Sequence, residues 1–168
     1  MKSITLIGMP GAGKSTIGVI LAKSLLCDFT DTDLIIQKKA GKSLCAILEE
    51  KGTEGFLKLE NDIICGESFE SCVIATGGSA VYGSEAMAKL REISTVIFLD
   101  VSVDELEKRL SNIKTRGVAM KKGTTVRELY KERLPLYQKY ADITLDCTGL
   151  TAEECVDRIC QQFAMRNS

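Results

Sequence analysis

Gly8-Met9-Pro10-Gly11-Ala12-Gly13-Lys14-Ser15 decides how the rest of this chain is read. The stretch has the form G-x-x-x-x-G-K-[S/T]. It stands between a run with buried-strand character, Ser3–Ile7, and a segment from Ser15 to Leu26 whose apolar residues Ile17, Ile20, Leu21 and Leu25 fall near helical spacing. The residue types have physical reasons. The glycines let the backbone curl so that its N–H groups point inward at phosphate oxygens. The helix that starts near Ser15 adds its positive end. Lys14 can reach β- and γ-phosphates, and the Ser15 hydroxyl can ligate Mg²⁺. Gly11, Ala12, Gly13, Lys14, Ser15 and Thr16 are therefore the candidate ligands of a nucleoside triphosphate. The motif leaves the phosphate acceptor open.

Working outward, apolar runs alternate with amphipathic helical stretches. Short strands are expected at Asp28–Thr30, Cys72–Ala75, Thr95–Asp100 and Ile143–Cys147. Helices are expected from Leu34 to a break at Gly41, over Leu44–Lys51 with Ser43 as cap and Gly52 as stop, and again over Thr53–Gly66. Further helices are read at Ser84–Leu90, at Val103–Leu110, from Thr124 or Thr125 to about Tyr140, and from the capping-box tetrad Thr151-Ala152-Glu153-Glu154 to about Met165. Ser111–Gly123, with four basic residues and two glycines, reads as a mobile polar loop. Strands separated by helices imply a parallel sheet in an α/β layered fold, and strands this apolar imply helices on both faces. The 168 residues fit one domain at ~150 per domain, so residues 1–168 are expected to form a single unit.

Composition narrows the function. Lys plus Arg is 22 and Asp plus Glu is 23, for a net charge of −1, which argues against a nucleic-acid-coating protein. No apolar run approaches a membrane span, so no membrane partner is expected. Histidine is absent, which excludes His triads, His metal ligands and His pH switches. Seven cysteines, with no Cys-x-x-Cys pair, suit small buried residues in a reducing compartment better than a zinc site or a disulfide framework. Met1-Lys2-Ser3-Ile4 lacks the layout of a secretion signal, so a cytoplasmic setting is expected.

Three further places could carry chemistry. Asp31-Thr32-Asp33 stands at the end of the second strand, where open α/β sheets bind ligands. A carboxylate there can serve a metal or take a proton from an attacking hydroxyl, or it can simply cap the next helix. Thr76-Gly77-Gly78-Ser79 ends the third strand, where glycines allow a ligand close to backbone N–H groups, or merely make a turn. Arg116 in the polar loop and Arg133 on the following helix could neutralise phosphate or substrate charge, or be solvated surface charges.

Together the loop Gly8–Ser15, Asp31-Thr32-Asp33, Gly55-Phe56 with Glu60, Thr76-Gly77-Gly78 and Arg133-Leu134-Pro135-Leu136-Tyr137 resemble the shikimate kinase family over nearly the whole chain. The resemblance implies a three-layer P-loop kinase fold, a five-stranded parallel sheet in order 2-3-1-4-5 with flanking helices. It implies Ser111–Gly123 as a lid and Thr32–Glu60 as a mobile substrate-binding region. The implied reaction is ATP plus shikimate to ADP plus shikimate 3-phosphate, with Mg²⁺ held by Ser15 and Asp31, in a monomeric enzyme. Lys14, Asp33 and Arg116 would be catalytic, Asp33 as base, and Arg116 would reach over the phosphates. Asp33, Gly77, Gly78 and Arg133 would hold the acceptor, Asp33 through its hydroxyls and Arg133 through its carboxylate, and Arg109 would lie against adenine. Three positions depart from the family pattern: Leu57 where an arginine helps hold the carboxylate, Ser79 where a third glycine stands, and Gly117 where proline follows the lid arginine. The change at Leu57 leaves Arg133, with help from Lys58, to bind a carboxylate. It also leaves open a second reading, in which the acceptor is another small polyol or hydroxy acid. A non-enzymatic nucleotide switch fits less well, since no Asn-Lys-x-Asp guanine reader is present and Asp146-Cys147-Thr148-Gly149 follows the last strand.

Overall fold

The computed structural model describes residues 2–111 and 117–166. Five strands, β1 (Ser3–Ile7), β2 (Asp28–Asp31), β3 (Cys72–Ala75), β4 (Ser94–Asp100) and β5 (Ile143–Asp146), form one parallel sheet in the order β2-β3-β1-β4-β5. Every residue of β1 and β3 is buried, as expected of strands covered on both faces. The helices are α1 (Lys14–Leu25), α2 (Thr32–Ala40), α3 (Leu44–Gly66), α4 (Ser84–Ile93), α5 (Val103–Arg109), α6 (Val126–Tyr140) and α7 (Ala152–Arg166), with a 3-10 turn at Ala80–Tyr82. β1 lies between β3 on one side and β4 on the other, with β2 and β3 on one flank and β4 and β5 on the other. The strand order therefore reverses at the carboxyl end of β1, and the phosphate loop occupies that crevice.

Local chemistry sets the element ends, and in places moves them from the sequence expectation. β2 runs on through Asp31, and α2 begins at Thr32 rather than Leu34, because the Asp31 carboxylate accepts from the N–H groups of Asp33 (2.9 Å) and Leu34 (3.4 Å). The Ser43 hydroxyl accepts from the Ala46 N–H at 3.2 Å and opens α3. Gly52, at φ 70 and ψ 177, breaks α3 into the two helical pieces read from the sequence. The reciprocal bonds of a capping box open α6 at Thr125 and Glu128, and the same exchange joins Thr151 and Glu154 ahead of α7. The ammonium of Lys89 donates to the carbonyls of Ile64, Cys65 and Glu67, so α4 closes the carboxyl end of α3 with a positive charge.

Two apolar clusters result. The larger surrounds the sheet, with Leu6, Ile74, Ile97, Leu99, Leu21 and Leu90 at its centre. The smaller joins Ile36 of α2, Ile47, Phe56 and Ile63 of α3, and Ala119 from the segment that precedes α6. Between the clusters, at the carboxyl ends of the strands, a cavity opens. Of the expected lid, residues 112–116, Arg116 included, lie outside the described residues. Gly117, at φ 65, passes so close to α3 that a Cβ there would stand 2.6 Å from the Cβ of Leu44.

Candidate active site

The phosphate loop forms one wall of the cavity, whose volume is about 310 Å³. Gly13, at φ 91, is the N-cap of α1 and brings no side chain to the cap, which leaves the first amides of the helix facing the loop. Lys14 is 8% exposed, and its ammonium donates to the carbonyls of Gly8 and Met9 at 2.8 Å each. Burial lowers its pKa to about 8, against the raising influence of Asp33. Beside it the Ser15 hydroxyl donates to the Asp31 carboxylate at 2.6 Å. Asp31 takes the capping role the sequence allowed with one oxygen, and its other oxygen accepts from Ser15.

A second cavity of about 210 Å³ adjoins the far side of the loop, lined by Ala12, Ile17, Arg109, Cys147, Leu150 and Cys155. Gly13 and Thr16 line both cavities, so the two spaces meet over the start of α1. Arg109 is held in place by a bond from Nη1 to the Gly11 carbonyl (2.9 Å) and one from Nη2 to Glu105 (2.7 Å), which leaves its planar guanidinium along the cavity. The second cavity is joined through the loop to the larger polar chamber.

Asp33 of α2 lines the larger chamber, and Glu60 of α3 lies buried beside it. Burial pushes the Asp33 carboxyl up to about 6, with Asp31 adding to the shift and Lys14 opposing it. Glu60 is 1% exposed, and burial pushes it up to about 7 while its bond with Ser79 and the charges of Arg133 and Lys14 pull the other way. Both carboxyls crowd Gly77. A Cβ at that residue would stand 2.6 Å from Asp33 Oδ1 and 2.8 Å from Glu60 Oε2, so only glycine leaves the two oxygens their space. The Gly77 N–H donates to the Thr32 hydroxyl at 3.3 Å, so its part in the site is its missing side chain rather than its amide. A Cβ at Gly78 would stand 2.8 Å from Pro10 Cδ and 2.9 Å from Arg133 Nη1. Thr76 anchors this segment to β1 through its hydroxyl, which donates to the Leu6 carbonyl at 2.9 Å.

Arg133 is fully buried, an unusual state for an arginine. Its Nη2 donates to the Ala119 carbonyl at 2.6 Å and its Nε to the Tyr82 hydroxyl at 3.4 Å, with the guanidinium 5.3 Å from the centre of the Tyr82 ring. Among the described residues two buried side-chain polar atoms have no partner, Arg133 Nη1 and Glu60 Oε2. Orphaned atoms of this kind cost free energy unless a ligand satisfies them. One donor and one acceptor thus lie buried beside Gly77-Gly78, the donor on the chamber wall.

Leu57 does not line the chamber. It packs on the smaller apolar cluster and borders a shallow groove with Lys58, Asn61 and Tyr82. Lys58 is exposed in that groove, so the expectation that it helps hold an acceptor carboxylate is corrected: the helix turns it away from the site. Ser79, Tyr82, Ala119 and Tyr137 carry parts of the site that residue type alone did not announce. Tyr137 donates from its hydroxyl to the Gly78 carbonyl at 2.7 Å. Its signal was available, since it lies four residues beyond Arg133 and so on the same helix face. Ala119 acts through its backbone, which no sequence pattern marks.

A divalent cation fits the donor set. Ser15 and Asp31 offer hard oxygens already in contact. This suits Mg²⁺, which takes few protein ligands and completes its shell with phosphate and water.

The model of the shikimate kinase family matches residues 10–164. Shikimate kinases of Francisella tularensis subsp. novicida and of Francisella philomiragia are each 36% identical over 162 residues, which cover 94% of this chain and 92% of theirs. Among solved structures, the shikimate kinase of Acinetobacter baumannii in complex with shikimate aligns with a TM-score of 0.90 at 29% identity, over 99% of this chain and 94% of that one. The shikimate kinase of Aquifex aeolicus aligns with a TM-score of 0.82 at 30% identity, over 98% of each chain.

Proposed function

The chain belongs to the shikimate kinase family, and from that premise we propose that it catalyses ATP-dependent phosphorylation of shikimate with the groups gathered around its central cavity. The observation that carries this reading is the unpartnered Arg133 Nη1 on the wall of a chamber that Asp33 and Lys14 also line, with Glu60 Oε2 buried beside Gly77. A carboxylate and hydroxyls on one small ring satisfy Arg133, Asp33 and Glu60.

ATP lies with its base along Arg109 and its phosphates on the amides of Gly11–Thr16. Lys14 moves from the loop carbonyls to the β- and γ-phosphates, where it offsets the charge that develops during transfer. Arg133 Nη1 donates to the shikimate carboxylate and orients the ring. The Gly78 N–H donates to the acceptor, and Asp33 takes the proton of the attacking hydroxyl. Ser15 and Asp31 hold Mg²⁺, which supplies charge neutralisation on the phosphates when bound. The near-neutral charge supports small-molecule rather than nucleic-acid partners. Seven free cysteines support residence in a reducing cytoplasm.

Steady-state assays with Mg-ATP and shikimate test the assignment. The wild type turns shikimate over, and Asp33→Asn lowers kcat by ~10²–10⁴-fold, the worth of general-base help, while the KM for ATP changes far less. An Asp33→Asn enzyme that keeps a tenth of the wild-type kcat would remove Asp33 from the role of base. A wild type that ignores shikimate at millimolar concentration would remove the acceptor.

A further inference from the structure

The two orphaned atoms, Arg133 Nη1 on the chamber wall and Glu60 Oε2 buried beside Gly77, share a feature that none of the roles above uses: each belongs to a side chain held from the same short segment. Ser79 precedes the 3-10 turn and Tyr82 ends it. The Ser79 hydroxyl donates to Glu60 Oε1 at 2.6 Å, which leaves Oε2 directed at Gly77 and Asp33. The Tyr82 hydroxyl accepts from Arg133 Nε, and the Tyr82 ring lies under the guanidinium. With Nη2 taken by Ala119, this leaves Nη1 directed at Gly78. The turn is itself closed by backbone bonds, from Tyr82 N–H to the Ser79 carbonyl (3.1 Å) and from Gly83 N–H to the Ala80 carbonyl (3.0 Å). The spacing between its two ends is therefore fixed.

We infer that the segment Ser79–Tyr82 is a positioning element for acceptor recognition: Ser79 aims the free oxygen of Glu60 at an acceptor hydroxyl, and Tyr82 aims the free N–H of Arg133 at the acceptor carboxylate. Neither Ser79 nor Tyr82 needs to touch the acceptor. Each fixes one arm, so the turn sets the distance between the hydroxyl and the anion that the site accepts. Glu60 and Arg133 are buried and surrounded by low-dielectric walls, where a rotated carboxylate or guanidinium would lose its direction without finding water. The inference rests on shikimate as acceptor, and the test separates the two.

The test is a set of KM and kcat measurements on Ser79→Ala, Tyr82→Phe and the double variant, with shikimate and with its methyl ester. Ser79→Ala should raise the shikimate KM ~3–10-fold, the worth of one hydrogen bond, with kcat within about twofold and the ATP KM unchanged. Tyr82→Phe keeps the ring and loses a long bond, so its effect should be ~2–3-fold on the shikimate KM. The two effects should multiply in the double variant, since they act on separate arms. With the methyl ester the Tyr82→Phe penalty should vanish, because no carboxylate is left for Arg133, while the Ser79→Ala penalty should persist. An unchanged ATP KM shows in the same assay that each variant is folded. Unaltered shikimate KM in both single variants, an equal rise in the ATP KM, or a Tyr82→Phe penalty that survives esterification would each overturn the inference while the acceptor assignment stands. Failure of the wild type itself to phosphorylate shikimate would overturn both.

Discussion

Glu60 faces Ser79, Asp33, Arg133 and Lys14 with almost no contact with water, and its carboxyl is pushed up to about 7 from an ordinary value of 4.5. An acid whose pKa is raised on folding binds its proton more tightly in the folded chain. The resulting stability is fully present below about 4.5 and is lost as the pH rises through 7. The difference corresponds to about 3 kcal/mol as an upper figure. Glu60→Gln keeps the shape of the neutral acid and does not titrate. Urea unfolding near pH 5 and near pH 8 should therefore show the variant gaining on the wild type as the pH rises. Parallel curves for the two proteins would mean that Glu60 is already ionised in the folded state at the lower pH. The same residue illustrates what sequence could and could not give. Glu60 was visible as part of a pattern with Phe56, but its partner Ser79 was visible only as a missing glycine. Leu57 looked like a gap in the acceptor site, and the structure instead turns it onto the apolar cluster of Ile36, Ile47 and Ile63.

At the scale of elements, α3 shows why some boundaries were legible. Ser43, Gly52, Thr125 and Thr151 act through bonds or angles local to the chain, so residue type and spacing revealed them. The start of α2 was misplaced by two residues because Asp31 serves as cap, strand end and partner of Ser15 at once, and only the last of these is long-range. The sheet order came from the family resemblance rather than from periodicity, since nothing local states which strands pair. The hinge at Gly52 can be tested directly. At φ 70 and ψ 177 it occupies a region essentially reserved for glycine, and no atom lies within 4 Å of where a Cβ would stand. Gly52→Ala therefore meets strain without steric clash. It should cost ~1–3 kcal/mol in urea unfolding and leave the chamber's polar groups in place. A neutral substitution would imply that α3 can straighten across residue 52 with no loss.

Across the whole molecule, the nucleotide half of the site and most of the acceptor half rest on different apolar clusters. The phosphate loop grows from β1 and α1, which are set in the cluster around the sheet. Asp33 and Glu60 stand on α2 and α3, whose inner residues Ile36, Ile47, Phe56 and Ile63 form the smaller cluster with Ala119. Ala119 also carries the carbonyl that holds Arg133, so the small cluster supports both polar arms of the acceptor site. Two cores of unequal size should differ in local stability, with the smaller opening more readily than the sheet. Ile47→Ala removes a side chain that is 1% exposed at the centre of the smaller cluster, a change that typically costs 2–5 kcal/mol in a fully packed core. Leu90→Ala removes one that is fully buried against the sheet. In native-state hydrogen exchange, Ile47→Ala should speed the amides of α2 and α3 selectively and leave β1, β3 and β4 protected, while Leu90→Ala should lower protection throughout. In kinetics, Ile47→Ala should raise the KM for shikimate and spare the KM for ATP, because the loop that binds the nucleotide keeps its own core. Uniform loss of protection and equal rises in both KM values would show instead that the two clusters unfold as one and that the site is a single mechanical unit.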